Sequence, residues 1–332
     1  MKRLKMGVIG VGHMGQYHVN VVNMLKDKFV LVGVYDANPD RAKEIATKFE
    51  TTAFGDVEDL VKKIECCIIA VPTSLHYQCA TLALDNNVHV LVEKPVTDTA
   101  EQARELAEKA KSKKLIFQVG HVERFNGAVQ ELSKTVNTPL IIESRRLSPF
   151  SPRIKDVGVV LDLMIHDVDI VMNLVNSPVV RVSASGGSIY TAVEDYAHAV
   201  LQFESGCIAS ITSSRVTQRK IRTLSISQEK SYLFLDFSTQ DIHIHRQASN
   251  AYLLTKENIK YSQESFVEEL TVRKDNPLKL EIEHFYDCVK NGATPMVSNT
   301  SDITILETTL EIERQVRSML GRVQPSSVAA AK

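Results

Sequence analysis

The 332-residue chain lacks an excess of charge of either sign: 39 Lys and Arg stand against 40 Asp and Glu, a formal net charge of -1 at pH 7. No basic stripe or block breaks this balance, which argues against a dedicated nucleic-acid binder. No apolar run approaches the roughly 18–20 residues that a bilayer-spanning helix needs. The N-terminus, MKRLKMGVIGVG, is basic and then apolar, but its apolar stretch is short and broken by glycines, and no small-residue cleavage site follows. A first β-strand fits it better than a signal peptide. Cysteine is scarce and odd in number, at five, with Cys66 and Cys67 adjacent in an apolar run and no pair at metal-ligand spacing. That pattern fits reduced core thiols in a cytoplasmic protein, not a disulfide framework. Internal repeats and low-complexity segments are absent as well. What is present is ordinary for a globular protein with a large core, 44% hydrophobic and 24% charged residues, and the length suggests about two domains at ~150 residues each.

The first third of the chain alternates two kinds of segment. KMGVIGV, FVLVGVYD, CCIIAVP, VHVLVEKP and LIFQVGH are apolar almost throughout, and GQYHVNVVNMLKD, NPDRAKEIATKFE, HYQCATLALDNN and TAEQARELAEKAKSK between them read as helices. Asn38 is placed as an N-cap, with Pro39 at the first helical position. Apolar strands alternating with helices predict a parallel sheet covered on both faces, the doubly wound Rossmann-type α/β architecture. After His121 the pattern changes. A helical stretch around Asp162 is followed by alternating runs without helices between them: VVRVSASG, DYAHAVLQFESGCIASITSSRV and RKIRTLSISQEKSYLFLDFSTQDIHIHR. Glu204-Ser205-Gly206, Gln228-Glu229-Lys230 and Ser238-Thr239-Gln240 punctuate these runs and predict antiparallel hairpins. PLKLEIEHFYDCVKNG and SDITILETTLEIERQVRSMLG read as two closing helices, each with a glycine stop, and SSVAAAK as a frayed tail. The expected organisation is a Rossmann domain over residues 1–122 and an α+β domain over residues 123–332. The latter carries a large, mainly antiparallel open sheet with one broad exposed face.

GVGHMG sets Gly10, Gly12 and Gly15 in GxGxxG spacing, with His13 and Met14 between, directly after a strand and at the start of a helix. In that context the first glycine permits a tight turn, the second lets backbone approach a pyrophosphate, and the third lets helix and strand pack closely. The helix N-terminus offers unsatisfied N–H groups and partial positive charge to the phosphates. Asp36 ends the second strand, 21 residues after Gly15, where an acid accepts hydrogen bonds from the adenosine ribose hydroxyls and repels a 2′-phosphate. NAD is therefore expected over NADP, with Arg41 nearby as the residue able to blunt that preference. A phosphate-blind glycine turn, with Asp36 merely capping a helix, is the weaker reading in this βαβ context.

Glu93-Lys94-Pro95 closes another apolar strand. Ligands of open α/β sheets bind at the carboxyl ends of strands, so Glu93 and Lys94 are expected at the cofactor, Lys94 facing the nicotinamide. Pro95 keeps the preceding residue out of helical geometry. Val71, Pro72, Thr73 and His76, in AVPTSLH at a further strand end, are expected to line the cofactor. In LDLMIHDVDIV, residues 161–171, Asp162, His166 and Asp169 are spaced by four and then three and share one helix face. Burying such an acid–imidazole–acid stripe among apolar residues is costly unless the charges are paired or used. Taken alone, Asp162 and His166 also read as a solvated i,i+4 pair.

The glycine loop at Gly10–Gly15, the Glu93-Lys94-Pro95 tripeptide, GHVERFN at Gly120–Asn126 and the Asp162–Asp169 segment, in this order, resemble the Gfo/Idh/MocA family of NAD(P)-dependent sugar and polyol oxidoreductases over essentially the whole chain. Met164 departs from the pattern, standing where the family usually has glycine. The resemblance implies that Lys94, Asp162 and His166 meet at the nicotinamide as the catalytic set. Oxidising a secondary alcohol requires removal of the hydroxyl proton while a hydride leaves the carbon. His166, with a free imidazole pKa of ~6.5, suits proton acceptance at neutral pH. Lys94 suits holding the hydroxyl oxygen as negative charge develops, and Asp162 suits orienting the ring. Whether Lys94 or His166 is the base stays open, and Asp169 suits bracing the helix. Arg124 and Asn126 are further substrate-binding candidates. Arg145 is the candidate from the adjacent pair Arg145 and Arg146, which point to opposite faces of a strand; an arginine fork suits a diphosphate. His243 and His245 share a strand face without a third ligand, so no metal is expected.

Within the family, KDVGVVLDLMIHDVDIVMNL with VGHVERFN most resembles the branch acting on sugar nucleotides. This implies NAD-dependent oxidation of the 3-hydroxyl of UDP-N-acetylglucosamine or its uronic acid, the 3-keto sugar passing to an aminotransferase in lipid A or surface-polysaccharide synthesis. A free polyol such as myo-inositol is the enzymatic alternative. A non-catalytic NAD-binding sensor is the alternative from another class, against which the intact Lys94, Asp162 and His166 set speaks. By the same resemblance the open sheet of the substrate-binding domain joins copies into a homodimer or homotetramer, with no nucleic-acid or membrane partner.

Overall fold

The computed structural model describes residues 3–151, 157–254, 259–272, 274–296 and 299–320. The chain divides into two compact units, Met1–Phe125 with Asp275–Glu307, and Asn126–Lys274 with Thr308–Lys332.

The first unit opens with β1 (Leu4–Ile9), α1 (His13–Met24), β2 (Phe29–Tyr35), α2 (Pro39–Lys48), β3 (Thr52–Phe54), α3 (Val57–Val61), β4 (Cys66–Ile69), α4 (His76–Asp85), β5 (His89–Glu93), α5 (Ala100–Lys113) and β6 (Phe117–Gly120). All strand pairs are parallel, in the order β3-β2-β1-β4-β5-β6. The order reverses between β1 and β4, the switch point at which doubly wound sheets bind their ligands. Every residue of β4 is buried, as expected for a strand covered on both faces. Asn38 caps α2 by accepting the N–H groups of Asp40 and Arg41, with Pro39 at the first helical position. β3 and α3 lie outside the expected elements. One is a three-residue edge strand, and the other a five-residue helix that Asp56 starts by accepting the Glu58 N–H.

The second unit follows with α6 (Gly127–Thr135), β7 (Pro139–Leu147), a π-helical turn at Val160–Met164 that runs into α7 (Ile165–Val175), and seven strands. These are β8 (Val179–Gly187), β9 (Tyr196–Phe203), β10 (Ile208–Ser214), β11 (Ile221–Gln228), β12 (Ser231–Asp236), β13 (Asp241–Leu254) and β14 (Ile259–Leu270). Their order is β14-β13-β12-β11-β7-β10-β9-β8, antiparallel throughout except where β7 meets β10. The three expected hairpin turns fall between β9 and β10, β11 and β12, and β12 and β13. Side chains alternate: Ala197, Ala199, Leu201 and Phe203 of β9 are buried, while Tyr196 and His198 are exposed. The buried face carries α7, and the other face is open.

The chain ends with α8 (Pro277–Asn291), capped by Asn276 and closed by Gly292 at φ +68°, and α9 (Asn299–Leu320). The glycine stop expected for α9 and the tail beyond it lie outside the described residues. α8 belongs to the first unit. Its Ile282, Phe285 and Tyr286 join Val19, Val22, Leu25 and Phe29 in one buried cluster, and the rings of Phe29 and Tyr286 meet edge to face at 5.5 Å. A single boundary near residue 122 thus describes consecutive segments, whereas the compact units interleave, because the apolar face of α8 completes the core against α1. Among the described residues no helix is long and apolar enough to cross a membrane, and the five cysteines are free thiols.

Candidate active site

The glycine loop is shaped by close packing on one side and open space on the other. Gly10 adopts φ +85°, and a Cβ there would lie 2.7 Å from the backbone of Ala70. A Cβ on Gly15 would overlap the Gly10 carbonyl, whereas one on Gly12 would meet nothing within 4 Å. Gly12 therefore faces the room that a passing pyrophosphate needs. His13 and Met14 are exposed in the first turn of α1, whose N-terminus has no side-chain cap, leaving N–H donors for an anion. A cleft of about 300 Å³ opens beside this loop, lined among others by Gly10, Gly12, Asp36, Val71, Pro72 and Leu75. Thr73 stands next to it, at the start of a 3-10 turn. These features fit a dinucleotide.

Asp36 and Arg41 hold the loop itself. Asp36 Oδ2 accepts the Val11 N–H at 2.8 Å, and Oδ1 accepts the Asn38 N–H at 2.9 Å. Arg41 Nε donates to the Val11 carbonyl at 2.9 Å, Nη1 to Glu44 at 2.8 Å and Nη2 to Gln16 Oε1 at 2.7 Å. His76 is buried, with Nδ1 2.8 Å from the Pro95 carbonyl and Nε2 2.9 Å from the Val71 carbonyl. Its ring ties together the loops that follow β4 and β5. Burial pushes its pKa down, outweighing the raising effect of the two carbonyls.

Glu93 and Lys94 follow from the end of β5, and the Lys94–Pro95 bond is cis. Glu93 Oε1 lies 2.6 Å from Nε2 of the fully buried His18, and Oε2 accepts the Lys94 N–H at 3.3 Å. Burial pushes the Glu93 carboxyl up, but the bond from His18 and the charges of His18 and Lys94 outweigh it and hold the group below its usual range. Glu281 of α8 is fully buried, and among the described residues its carboxyl oxygens have no hydrogen-bond partner. Burial first, and the Glu93 charge second, push it well above the usual carboxylate range. The two buried acids are thus pushed in opposite directions. Arg124, also in this unit, donates to the Met296 carbonyl at 3.1 Å and lies 3.6 Å from Asp302.

In the second unit, Asp162 and Met164 lie in the π-helical turn, and His166 and Asp169 in α7. The single α-helical face expected for this stretch is therefore broken at its start. Glu194 explains the local path. Its carboxylate sits where a Cβ on residue 158 would be, which requires glycine at that position. Glu194 Oε1 accepts the Val160 N–H at 3.4 Å and its carbonyl accepts the Val159 N–H at 3.0 Å, an acid at a helix N-terminus, where the dipole favours it. Asp162 is half-buried and lies 3.6 Å from Arg215. Arg215, which follows β10, is 3% exposed, and among the described residues its Nη1 and Nη2 have no hydrogen-bond partner. Sequence reading missed this arginine; it stands after a strand in SSRVTQRK with no periodic signal to single it out.

His166 is half-buried. Asp169 is buried and accepts from Asn173 Nδ2 at 3.1 Å, in keeping with a bracing role. Asp167, the third acid of the segment, takes Arg146 Nε at 2.8 Å, Nη2 at 3.1 Å and Ser144 Oγ at 2.9 Å. Arg146 is thus the inward member of its pair, and Arg145 is exposed on the open sheet face. Asn126 is buried and caps α6 through the Ala128 N–H at 3.0 Å. Met164 is fully buried. His243 and His245 lie on the open face, the ring of His245 against Tyr232. The structure therefore gathers the cofactor candidates of the first unit around one cleft and strand end. It also sets Asp162 and His166 in successive turns of the second. Arg124 and Asn126 are engaged with the chain itself, and Arg145 sits apart from α7.

Comparison with known proteins agrees with this geometry. Residues 4–121 match the profile of the oxidoreductase family with an NAD-binding Rossmann fold, and residues 129–233 match the GFO/IDH/MocA C-terminal domain. The UDP-N-acetylglucosamine 3-dehydrogenase of Acidithiobacillus ferrooxidans is 31% identical over 323 residues, which cover 97% of this chain and 100% of that one. The chain belongs to the Gfo/Idh/MocA family. It is an oxidoreductase with the family's Rossmann domain and mainly antiparallel second sheet. A solved structure of the A. ferrooxidans enzyme matches with a TM-score of 0.86 at 30% identity, over 96% of this chain and 99% of that one. The scyllo-inositol 2-dehydrogenase (NAD(+)) of Bacillus subtilis is 26% identical over 327 residues, 91% of each chain.

Proposed function

We propose that this Gfo/Idh/MocA oxidoreductase is an NAD-dependent dehydrogenase of a sugar nucleotide that oxidises the 3-hydroxyl of UDP-N-acetylglucosamine. The observation that carries the reading is the 31% identity, over 97% of the chain, to an enzyme of that name. Lys94, Asp162 and His166 stand at the family's motif positions, which a pure cofactor-binding sensor has no need to keep.

In this reading the three residues act on one substrate. Lys94 donates to the hydroxyl oxygen and stabilises the charge that develops on it. Its backbone is fixed by Glu93, which His18 in turn holds. His166 accepts the hydroxyl proton, and Asp162, with Arg215 at 3.6 Å, supports the imidazolium that forms. Bound NAD supplies the acceptor for the hydride. Asp36 receives the adenosine ribose and disfavours a 2′-phosphate, the basis for NAD over NADP. The 3-keto product is a substrate type that aminotransferases take, so the reading extends to lipid A or surface-polysaccharide synthesis in the cytoplasm, in keeping with the free thiols. It also takes the open sheet face, where Ile141, Tyr196, Ile208 and Tyr232 are exposed, as the surface that joins copies into a dimer or tetramer.

A second reading, oxidation of a free inositol, is favoured by the 26% identity to the B. subtilis enzyme over 91% of the chain. The deciding experiment follows NADH formation from NAD with UDP-N-acetylglucosamine, its uronic acid and myo-inositol in parallel, with an aminotransferase or chemical trap for the keto product. Turnover with UDP-N-acetylglucosamine is expected. Turnover with inositol alone would replace the first reading by the second, and silence on all three with tight NAD binding would support the sensor.

A further inference from the structure

Arg41 stands on the first turn of α2, five residues after Asp36, and the two side chains hold the backbone of Val11 from either side. Asp36 accepts the Val11 N–H, and Arg41 donates to the Val11 carbonyl. An arginine there is within reach of the ribose edge that Asp36 reads, and a guanidinium fork is the best side-chain match for a phosphate. Alone, it would invite the 2′-phosphate that Asp36 repels. All three of its nitrogens are already engaged, however. Nη2 donates to Gln16 Oε1 at 2.7 Å, Nη1 to Glu44 at 2.8 Å, and Nε to Val11.

We propose that Gln16 and Glu44 are specificity-determining residues that hold Arg41 away from the cofactor's 2′ position, so that NAD selection rests on this clasp as well as on the charge of Asp36. The proposal rests on the NAD reading above and deepens it. The two grips differ in strength. Glu44 is 63% exposed, and an exposed ion pair contributes little. Gln16 bonds a guanidinium that is only 26% exposed, and it reaches across from α1. Gln16 is therefore the stronger latch. Neither residue needs to touch the cofactor; both act through Arg41.

The test is direct binding of NADH and NADPH to the full chain, followed by nicotinamide fluorescence. The wild-type protein should bind NADH more tightly than NADPH; equal affinity would sink the NAD reading itself, independently of the clasp. Given that preference, Q16A/E44A should gain about five- to tenfold in NADPH affinity while NADH affinity changes by less than about twofold. Gln16→Ala should account for most of the gain. Gln16→Glu, which grips the guanidinium with a full charge, should move NADPH affinity the other way, and adding Arg41→Ala to the double variant should erase the gain. Unchanged NADPH affinity in Q16A/E44A would overturn the proposal. So would a gain that survives Arg41→Ala, or a parallel loss of NADH binding, which would make the clasp a scaffold for the loop instead.

Discussion

Cys66–Ile69 in the six-stranded sheet is buried at all four positions, whereas Tyr196–Phe203 in the eight-stranded sheet alternates between buried and exposed. A strand covered on both faces has little room to carry charge, so in β2 and β5 the charged side chains stand where the strand ends, at Asp36 just after β2 and at Glu93 and Lys94 at the close of β5. A strand covered on one face can carry charge along its length. In β7, Glu143 and Arg145 point outward while Arg146 points in, to be paired by Asp167. The contrast teaches where to look for chemistry. In the proposed site the first unit contributes from the rim of its sheet and the second from the π-helical turn and α7, while the Arg146–Asp167 pair ties α7 to β7.

The largest effect should come from removing a rim charge. Lys94→Ala is expected to lower kcat by about 10³ or more while NADH binding, read by fluorescence, stays within about twofold. Loss of binding as well would recast Lys94 as a cofactor ligand. Next comes a charge that braces: Asp167→Ala removes the buried carboxylate that takes Arg146 Nε and Nη2, which should cost about 3–5 kcal/mol of stability in urea unfolding. A cost below 1 kcal/mol would show that the pair does not anchor α7.

A subtler effect separates the two buried carboxyls of the first unit. Glu281 has a folded pKa raised above its unfolded value of 4.5. The stability it contributes is therefore complete below about pH 4.5 and is lost as pH rises toward the raised value. Glu281→Gln should flatten that decline, and its melting temperature relative to wild type should climb between pH 5 and 8. Glu93, held low by His18 and Lys94, has the opposite sign: its contribution is present above the unfolded value and is lost as pH falls through the folded one. Glu93→Gln should therefore cost stability at pH 7 and little in acid. Equal pH slopes in the two variants would remove the distinction. The smallest effect belongs to Arg145→Ala on the open face, within about 0.5 kcal/mol of wild type and with KM for the sugar nucleotide unchanged. A large rise in KM would restore Arg145 as a substrate ligand.

The sequence carried the first sheet well because a fully buried strand is a continuous apolar run and its helices bear caps, as at Asn38 and Pro39. β3 and α3 escaped because three and five residues are too few to show a period. α6 and β14 escaped for a related reason: the sequence of β14, IKYSQESFVEEL, is largely polar, and only its pairing with β13 reveals it. The site was partly legible. The glycine loop, Asp36 and the Glu93-Lys94 strand end depend on local spacing, which a sequence displays. The π-helical turn does not, because it depends on Glu194, which meets residues 158–160 from more than thirty positions away. Arg215 was invisible for the same reason. The engagement of Arg41 by Gln16 and of Arg124 by Asp302 likewise joins residues far apart in the chain, which local spacing does not display.

The packing of α8 against α1 has a consequence for how the protein is made. Phe29, Val22 and Leu25 leave the ribosome about 250 residues ahead of the side chains that cover them, Ile282, Phe285 and Tyr286. At about 5–20 residues per second, that patch stays uncovered for roughly ten seconds to nearly a minute of translation. A nascent chain stalled after β6 has its whole parallel sheet and still shows an oily flank, a surface for a chaperone to shield until α8 arrives.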